Sequence, residues 1–401
     1  MNIFVINSGS SSLKYQLFRW PQEQPLARGL VERIGLPDSQ LTHTATPAGG
    51  PEQTIRRTLP IPDHRTGLEE AMRLLTDAEI GVIRDPAEVR VMGHRAVHGG
   101  EEFRQPTLVT EAVKAKIREL FPLAPLHNPA NLLGIEVAEQ LFPAARQVAV
   151  FDTAFHQTLP EKAYRYALPQ ALYPARGIRA YGFHGTSHKY VTGQAAQYLG
   201  QPDARLISVH LGNGCSMAAV RGGKSLDTSM GFGPLSGLVM GTRSGDIDPS
   251  VVFHLISELK YSPEQVSTLL NQQSGMLGLT GRSDMRDITA ALEAGDANAR
   301  LAYDLYAYRI RKYIGAYAAV LNGLDALIFT AGVGENDALV RQLVCQDMDF
   351  LGIRLDQEKN AQRAKGLREI SPVDAHVKVL IVPTNEELEI ARQCVALLGP
   401  G

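Results

Sequence analysis

The first apolar segment of the chain, Phe4–Phe18, predicts a β-hairpin. An apolar strand runs into a turn of small polar residues from Asn7 to Ser12, and a second strand-like run returns through Lys14 and Leu17. Such a turn places backbone N–H and hydroxyl groups on a concave face, which suits a polyphosphate. For the hairpin taken alone, the alternative is an ordinary Ser/Gly turn between two strands.

After the hairpin, short strands and helices follow one another. Residues 36–65 are rich in Pro, Thr and Gly and predict an exposed excursion with irregular strands, and Pro122–Asn131 predicts a structured loop. The other predicted elements are strands at Leu26–Gly35, Val89–His94 and Val148–Phe151, and helices at Gly67–Leu75, Glu111–Phe121 and Leu132–Leu141. We place a first domain boundary at Asp152, where the pattern changes.

A second strand, Gly/Ser turn, strand unit lies about 200 residues after the first, at Ala204–Leu211, Gly212–Ser216 and Met217–Val220. The repetition suggests two domains with a related core. The remaining elements are helices at Tyr181–Gln197, Val251–Leu259, Pro263–Asn271, Ser283–Leu292, Asn298–Gly323 and Thr384–Leu398, and strands at Ala326–Thr330 and Val377–Val382. Alternating strands and helices with hairpins in each half indicate an α/β fold.

The glycine-dense segment Thr228–Pro249 has little periodicity. A long irregular segment inside a compact domain is usually functional or disordered. Because Met and Leu are interleaved with its glycines, we expect it to be ordered and functional.

Composition sets the remaining limits. A chain of 401 residues is too long for one core, so two domains are expected. A net charge of −2 leaves no basic footprint for nucleic acid or a membrane surface, and no apolar run is long enough to span a bilayer. The start of the chain shows no positively charged segment of a signal peptide. Three widely spaced cysteines fit a reducing cytoplasm.

Three motifs are weak. Gly223-Lys224-Ser225 ends like a phosphate-binding P-loop, but the first glycine of that motif is replaced by Ala218. Gly332-Val333-Gly334 follows a strand and opens a helix, yet the third glycine of the dinucleotide fingerprint is missing. The pairs His94/His98 and His184/His188 have a spacing that could suit zinc, but neither carries the glutamate of the HExxH motif.

Four charged or polar residues stand at positions suited to chemistry. Arg95 ends an apolar strand and Arg243 lies in a Gly/Ser loop, where guanidinium groups can recognise a carboxylate or phosphate. The alternative for each is a surface ion pair. Asp152 ends a strand, which is the usual place for an α/β active-site carboxylate, or it caps a turn. His127, between two prolines, could donate to an oxyanion, or it is a packed loop histidine.

The last helix begins with Thr384-Asn385-Glu386-Glu387. This pattern predicts a capping box in which Thr384 caps the helix and Glu387 bonds back to it. Glu386 has no such structural duty, so it is the better candidate for holding Mg²⁺, directly or through water.

Together these motifs resemble the acetate/propionate kinase family, within the acetate and sugar kinase/Hsc70/actin superfamily. The matching segments follow one another from one end of the chain to the other, and the long glycine-dense segment is highly specific. The segments are VINSGSSSLKYQLF (5–18), GHRAVHGG (93–100), PLHNP (125–129), FDTAFH (151–156), YGFHGTSH (181–188), HLGNGCS (210–216), DTSMGFGPLSGLVMGTRSGDIDP (227–249), GRSDMRD (281–287), TAGVGEN (330–336) and PTNEELEIA (383–391).

The resemblance implies two domains, each with an RNase H-like (actin-like ATPase) core, closing over a central cleft. The N-terminal domain would comprise residues 1–151 plus 384–401, and the C-terminal nucleotide-binding domain residues 152–383. It also implies ATP/ADP as co-substrate, Mg²⁺ with Mn²⁺ as a substitute, and a cytoplasmic homodimer.

The resemblance assigns site residues as well. Its catalytic set matches Arg95, His127, Asp152, His184 and Arg243. The acetate site, which shares Arg95, matches an apolar pocket of Val97, Leu126, Phe183 and Pro234. The nucleotide side matches Lys14, His210, Leu211, Gly212, Asn213, Gly214, Asp284, Met285, Arg286, Gly332, Val333, Gly334, Glu335 and Asn336. The metal pair matches Asn7 and Glu386.

The expected reaction is ATP + acetate ⇌ ADP + acetyl phosphate. Acetate is already ionised near neutral pH, so it needs no general base, and Asp152 is better assigned to orienting magnesium-bound waters or an arginine. The main barrier is to bring two anions together. Three alternatives remain: a propionate or other short-chain acyl kinase, a non-catalytic nucleotide switch of the actin or Hsc70 type, and a zinc hydrolase.

Overall fold

The structure, a computed structural model, describes residues 1–47 and 50–399. These residues form two compact units, one of residues 1–154 with 385–399 and one of residues 155–384. The domain boundaries expected from the sequence, at 151/152 and 383/384, stay a prediction. Every helix in the described ranges is too short or too polar to cross a membrane.

The first unit contains a mixed sheet, three helices and the C-terminal helix of the chain. Its strands are β1 Asn2–Ser8, β2 Ser12–Arg19, β3 Pro25–Glu32, β4 Ser39–Ala45, β5 Gln53–Leu59, β6 Val89–Ala96, β7 Thr107–Leu108 and β8 Arg146–Phe151. Its helices are α1 His64–Leu75, α2 Glu111–Glu119, α3 Asn128–Leu141 and the C-terminal helix Glu386–Leu398. Short 3₁₀ turns occupy Pro86–Glu88 and Phe121–Leu123.

The strand order in this sheet is β5-β4-β3-β2-β1-β6-β8-β7. Strands β1 to β5 pair antiparallel in sequence order, whereas β1, β6 and β8 are parallel neighbours. The hairpin predicted at the start of the chain is β1 and β2, with Asn7 opposite Lys14. Most residues of the two strands are buried, and the strands lie inside the sheet order rather than at its edge.

The C-terminal helix packs on β1 and β6 at very short range. A methyl group at Gly93 in β6 would lie 2.8 Å from a carbon of Ile390 and 3.1 Å from the sulfur of Cys394. Only glycine therefore allows this helix to approach the strand, and the approach brings the start of the helix to the carboxyl ends of the parallel strands.

The second unit contains a smaller mixed sheet and most of the helices. Its strands are β9 Arg205–Leu211, β10 Cys215–Arg221, β11 Lys224–Thr228, β12 Ala326–Thr330, β13 Arg368–Glu369 and β14 Lys378–Ile381. Its helices are α4 Glu161–Tyr164, α5 Leu172–Arg176, α6 Gly185–Leu199, α7 Pro249–Ser257, α8 Pro263–Gln272, α9 Gly275–Thr280, α10 Met285–Glu293, α11 Ala297–Leu321, α12 Ala331–Asn336, α13 Ala338–Cys345 and α14 Gln357–Ala361. Residues Phe155–Thr158 and Asp349–Leu351 are 3₁₀ turns.

The two sheets share a five-strand pattern. In the second sheet the order is β11-β10-β9-β12-β14-β13, where β11, β10 and β9 pair antiparallel and β9, β12 and β14 pair parallel. In the first sheet β3-β2-β1-β6-β8 has the same order and directions. The two strand–turn–strand units seen in the sequence occupy corresponding positions, β1/β2 and β9/β10, so the expected related cores are confirmed.

Some sequence predictions were wrong in detail. The segment 36–65 is not irregular, because β4 and β5 extend the antiparallel ladder of the first sheet; residues 48 and 49 of it lie outside the described residues. Helix α3 begins at Asn128 within the predicted loop, since Pro129 suits the first turn of a helix. The segment Gly332-Val333-Gly334 opens a helix as expected, but that helix, α12, ends at Asn336 after six residues. Strand β11 was missed.

Candidate active site

Four of the predicted site residues meet at one edge of the first sheet. Strands β1, β6 and β8 run parallel, so their carboxyl ends lie side by side, which is where ligands bind in open α/β sheets. Asn7 lies near the end of β1, Arg95 near the end of β6 and Asp152 directly after β8. Glu386 is the first residue of the C-terminal helix.

Arg95 is the centre of this group. Its Nη2 lies 2.5 Å from Oδ2 of Asp152, its Nη1 donates to Oδ1 of Asn7 at 3.2 Å, and its Nε lies 3.7 Å from Oε2 of Glu386. The side chain of Asp152 is 1% exposed and that of Arg95 18%. The alternative of a surface ion pair is therefore wrong for Arg95. Removing one partner of such a buried ion pair strongly destabilises the folded protein, because the other charge is left buried without a partner.

The charges of the group shift two pKa values. Burial alone would lower the pKa of Arg95, but the charges of Asp152 and Glu386 outweigh it, so the pKa is raised and the guanidinium stays charged. Burial raises the pKa of Glu386 to about 7, the charge of Arg95 opposes this rise, and Asp152 and Glu387 add to it. The edge of the sheet thus carries more carboxylates than its cations balance.

The expected capping box at the C-terminal helix was wrong. The helix is capped by Asn385, whose side chain accepts from the N–H of Leu388 at 3.0 Å. Thr384 instead shares a hydrogen bond with the hydroxyl of Ser187 at 2.8 Å.

Glu387 does not bond back to the start of the helix as expected. Its carboxylate is 2% exposed, lies 2.9 Å from Nζ of Lys14, and accepts from Nε2 of Gln16 at 3.3 Å. Thus Lys14, expected beside the phosphates, is paired with a carboxylate next to Glu386.

Two asparagines of α3, neither of them among the predicted site residues, position the loop after Arg95. Asn131 accepts from the N–H of Val97 at 3.0 Å and donates to the carbonyl of Ser8 at 2.8 Å. Asn128 accepts from the N–H of His98 and donates to its carbonyl, both at 3.0 Å. The signal available in the sequence was the PLHNP segment, which contains Asn128 and ends two residues before Asn131.

The other predicted residues of this loop region differ in exposure. His127 directly precedes α3 and is half-buried. Val97 is 5% exposed, whereas Leu126 is 63% exposed. Val97 is thus part of the buried surface beside Arg95, and Leu126 lies on the outside of the first unit.

In the second unit, histidines gather at the start of α6 and along β9. His184 precedes α6 in the left-handed conformation, with φ of 54°, which is uncommon for a residue other than glycine and points to a functional constraint. Its ring stacks on His210 with centroids 4.3 Å apart. Both rings are held by serines: Ser216 lies 2.9 Å from Nδ1 of His184, and Ser187 lies 2.9 Å from Nδ1 of His210.

Arg243 lies in the irregular glycine-dense segment of the same unit. Its Nη1 donates to the carbonyl of Pro234 at 3.1 Å, and burial lowers its pKa. A methyl group at Gly214 would lie 3.4 Å from His184 and 3.8 Å from Arg243. The turn between β9 and β10 therefore brings Gly214, predicted on the nucleotide side, close to His184 and Arg243 of the predicted catalytic set.

Phe183, assigned to the apolar pocket, is buried next to this centre. Its side chain is 3% exposed, and its backbone carbonyl lies 3.0 Å from Nε2 of His156. Pro234 is half-buried. The second unit thus holds Phe183, Pro234, His184 and Arg243 of the predicted set.

Two of the three predicted nucleotide segments are neighbours. Strands β9 and β12 are parallel, with His210 opposite Thr330, so the turn His210–Gly214 and helix α12 (Ala331–Asn336) leave the same edge of the second sheet. Glu335 accepts from the N–H of Thr384 at 3.2 Å, and burial raises its pKa.

The third segment, Asp284–Arg286, starts α10. Arg286 donates to both carboxylate oxygens of Asp284 through its side chain and its backbone N–H also donates to Asp284, which lowers the pKa of Asp284 to about 2. In the described ranges, no hydrogen bond joins this pair to the other two nucleotide segments.

The histidine pairs that raised the question of zinc have other partners. Nε2 of His94 lies 2.7 Å from the side chain of Gln147, and His188 lies between two serines. Across the residues that the structure describes, no three His, Cys, Asp or Glu side chains are arranged to hold a metal ion.

The comparisons with known proteins agree along the whole chain. The sequence profile of the acetokinase family matches residues 2–392. The acetate kinase of Flavobacterium johnsoniae is 54% identical over 398 residues, covering 99% of this chain and 100% of that protein. The acetate kinase of Thermotoga maritima is 52% identical over 397 residues, covering 98% and 97%.

Solved structures give the same result. The crystal structure of Porphyromonas gingivalis acetate kinase matches with a TM-score of 0.90 at 46% identity and covers 99% of each chain. A propionate kinase from Francisella tularensis matches with a TM-score of 0.90 at 41% identity and covers 98% of each. With a family profile over nearly its full length and relatives above half identity, this chain belongs to the acetokinase family.

Proposed function

We propose that this protein is a kinase that transfers the γ-phosphoryl group of ATP reversibly to acetate. An acetate oxygen attacks the γ-phosphorus, the bond from that phosphorus to the β,γ-bridging oxygen breaks, and ADP leaves with that electron pair. The observation that carries the proposal is the buried Arg95, fixed by Asp152 and Asn7 at the carboxyl edge of parallel strands. A guanidinium held in this way suits a small carboxylate.

The chemistry requires charge stabilisation rather than a base. Acetate is ionised near neutral pH, because carboxyl groups of this type have a pKa of about 4. Asp152 therefore serves by orienting Arg95, which would hold the acetate carboxylate. Arg243 and His184, assisted by His127, would stabilise the equatorial oxygens of the transferred group, since positioning and electrostatics dominate phosphoryl transfer.

The donors at the edge of the first sheet fit Mg²⁺. Asn7 offers an amide oxygen and Glu386 a carboxylate, and both lie beside Arg95. Mg²⁺ is usually bound through one or two carboxylates and keeps several waters. Burial raises the pKa of Glu386 and the charges of Asp152 and Glu387 add to this rise; a bound divalent cation would oppose it. Asn7 and Glu386 would hold the ion, which when bound offsets the negative charge of the phosphates; Mn²⁺ offers similar ligand chemistry.

The nucleotide would bind on the second unit. The turn His210–Gly214 and helix α12 leave one sheet edge together, and the backbone N–H groups of such a turn suit phosphate oxygens. Asp284–Arg286 and Lys14 belong to the same proposal through the family's motif. Competition between ATP and ADP in a binding assay would test this assignment.

A propionate kinase is the second candidate, and the similarity to the Francisella tularensis protein gives it weight. The buried Val97 favours the smaller substrate, since one methylene changes discrimination by roughly 1–3 kcal/mol. The deciding experiment measures acyl phosphate as the hydroxamate with acetate, propionate and butyrate, with and without Mg²⁺. We expect acetate to be the best substrate. A rate of ATP turnover that is the same with and without any of these carboxylates would favour a nucleotide switch instead.

We also propose that the protein is a cytoplasmic homodimer. The three cysteines are free thiols, all buried, as suits a reducing compartment. Helix α7 supports a dimer: every one of its residues is at least partly exposed, including Phe253 at 69% and Val251 at 44%. An apolar helix left on the surface is typical of a protein interface.

A further inference from the structure

A chain of four side chains, Ser208, His188, Ser216 and His184, runs through the interior of the second unit. The oxygen of Ser208 lies 2.9 Å from Nδ1 of His188, Nε2 of His188 lies 2.8 Å from the oxygen of Ser216, and that oxygen lies 2.9 Å from Nδ1 of His184. We call it the serine–histidine chain. Ser208 and Ser216 project from β9 and β10, and the two histidines lie one helical turn apart at the start of α6.

Each hydroxyl in the chain has one proton to donate. Ser216 lies between two imidazole nitrogens, so it donates to one and accepts from the other. His188 is fully buried. Its burial, and the neighbouring rings of His156 and His210, lower its pKa well below the usual range. A neutral His188 likewise donates through one ring nitrogen and accepts through the other, so the whole chain has only two consistent directions.

The buried hydroxyl of Ser208 selects between these directions. If the chain ran from His184 toward Ser208, the hydroxyl of Ser208 would accept from His188 and its own proton would need another acceptor. Ser208 is 0% exposed, and among the described residues His188 is the hydrogen-bond partner of its hydroxyl. A buried donor without an acceptor is strongly unfavourable. In the opposite direction, the hydroxyl protons of both Ser208 and Ser216 have an acceptor.

We infer that Ser208, His188 and Ser216 are positioning residues that hold His184 as the neutral tautomer with its proton on Nε2. The hydroxyl of Ser208 donates to His188, His188 donates through Nε2 to Ser216, and Ser216 donates to Nδ1 of His184. The Nε2–H of His184 is then the donor offered to the transferred phosphoryl group. This role rests on the proposed function; the tautomer itself does not.

The chain also opposes protonation of His184. A proton on Nδ1 would turn Ser216 into the acceptor of two N–H groups and would leave its own hydroxyl proton without a partner. Hydrogen bonding to the neutral form in this way disfavours the charged form. His184 thus stabilises charge as a fixed N–H donor and does not exchange its proton during the reaction. Its left-handed backbone is in keeping with a side chain held in one orientation.

The test is the tautomer of His184 in the full-length protein. Long-range ¹H–¹⁵N spectra of protein labelled with ¹⁵N-histidine distinguish a protonated from an unprotonated ring nitrogen, and His184→Gln identifies the signals of His184. Near neutral pH and without nucleotide, we expect Nδ1 of His184 to be unprotonated and Nε2 protonated. A proton on Nδ1, in either a neutral or a charged ring, would overturn the inference.

Variants separate positioning from general stability. Ser216→Ala should let His184 exchange between tautomers and lower kcat by about 10- to 100-fold with little change in KM, the range seen when a group that orients a functional side chain is lost. Ser216→Thr, which keeps the hydroxyl, should restore both properties. Ser225→Ala is the matched control, because Ser225 is an equally buried serine, 2.8 Å from Nδ1 of His156; it should leave the His184 signals and kcat unchanged.

The readouts also separate this inference from the proposed function. If the protein shows the expected tautomer of His184 but forms no acyl phosphate, the result would support the role of the serine–histidine chain and refute the proposed kinase activity. If the protein is an active kinase but its His184 signals are the same in the wild type and in Ser216→Ala, the role of the serine–histidine chain would be refuted and the proposed kinase activity would not. If Ser216→Ala does not fold, the wild-type spectrum decides.

Discussion

The guanidinium of Arg95 lies 2.5 Å from the carboxylate of Asp152, and the two side chains are 18% and 1% exposed. We expect Asp152→Asn to lower kcat/KM for acetate by on the order of 10²–10³, as for the loss of a group that stabilises developing charge, because Arg95 would lose the partner that orients it. Asp203→Asn breaks an exposed pair with Arg221 and should leave kcat/KM unchanged. Equal kinetics for wild type and Asp152→Asn would refute the role of Asp152.

Glu386 should make stability depend on pH. Its folded-state pKa of about 7 lies above its ordinary value of 4.5, so the folded state binds more protons between these values. The free energy of unfolding should therefore fall as pH rises from about 4.5 to 7. Glu386→Gln should remove this fall, as measured by urea unfolding across that window. Glu111→Gln, at the first residue of α2 and 85% exposed, should keep it.

The variant Glu386→Gln also tests whether Glu386 binds Mg²⁺. With wild-type protein at pH 8, Mg²⁺ should raise Tm, because the ion relieves repulsion among the carboxylates and binds only the folded state. Glu386→Gln and Asn7→Ala should both weaken this rise and increase the Mg²⁺ concentration needed for half-maximal turnover. Unchanged Mg²⁺ dependence in both variants would show that the ion binds elsewhere.

Val97→Ala should shift substrate preference toward propionate. Val97 is 5% exposed, so removing two methyl groups there enlarges a buried space, and we expect the ratio of kcat/KM for propionate over acetate to rise by roughly tenfold or more. Val113→Ala, on α2 in an apolar cluster of the first unit around Ile117, should leave the ratio unchanged. An unmoved preference in Val97→Ala would exclude Val97 from the acetate pocket.

Asn385 should stabilise the C-terminal helix by capping its first turn. Asn385→Ala removes the side chain that accepts from Leu388 and should lower the free energy of unfolding by about 1 kcal/mol. Asn385→Asp should retain the cap and most of that stability. An equal loss for Asn385→Ala and Asn385→Asp in urea unfolding would contradict the capping role.

If α7 forms the interface of the proposed homodimer, one charge introduced on α7 should separate the two subunits. Phe253→Glu should convert a dimer into monomers in light scattering coupled to size-exclusion chromatography, because it places a charge in an apolar contact. Phe350→Glu is the matched control, since Phe350 is 76% exposed but lies in a 3₁₀ turn outside α7. A Phe253→Glu protein that stays dimeric would exclude α7 as the interface.

The sequence by itself determined the elements with strong local patterns. Strand β12 has both ends at the predicted residues, and the opening hairpin and the long helix α11 lie where the apolar spacing places them. Asn7, Arg95 and Asp152 could be located because each follows or ends an apolar strand. These signals are local: backbone preference and the period of apolar side chains depend on residues within a few positions of one another.

Only the tertiary structure decided which polar side chains pair. Thr384 and Asn385 are both good helix caps, and the hydroxyl of Ser187, 197 positions away, engages Thr384 and leaves the cap to Asn385. Glu387 pairs with Lys14, 373 positions away. Sequence pattern cannot predict such pairs, because a buried polar group must find a partner wherever the strand order places one. The serine–histidine chain arises in the same way, from two adjacent strands and one helix start.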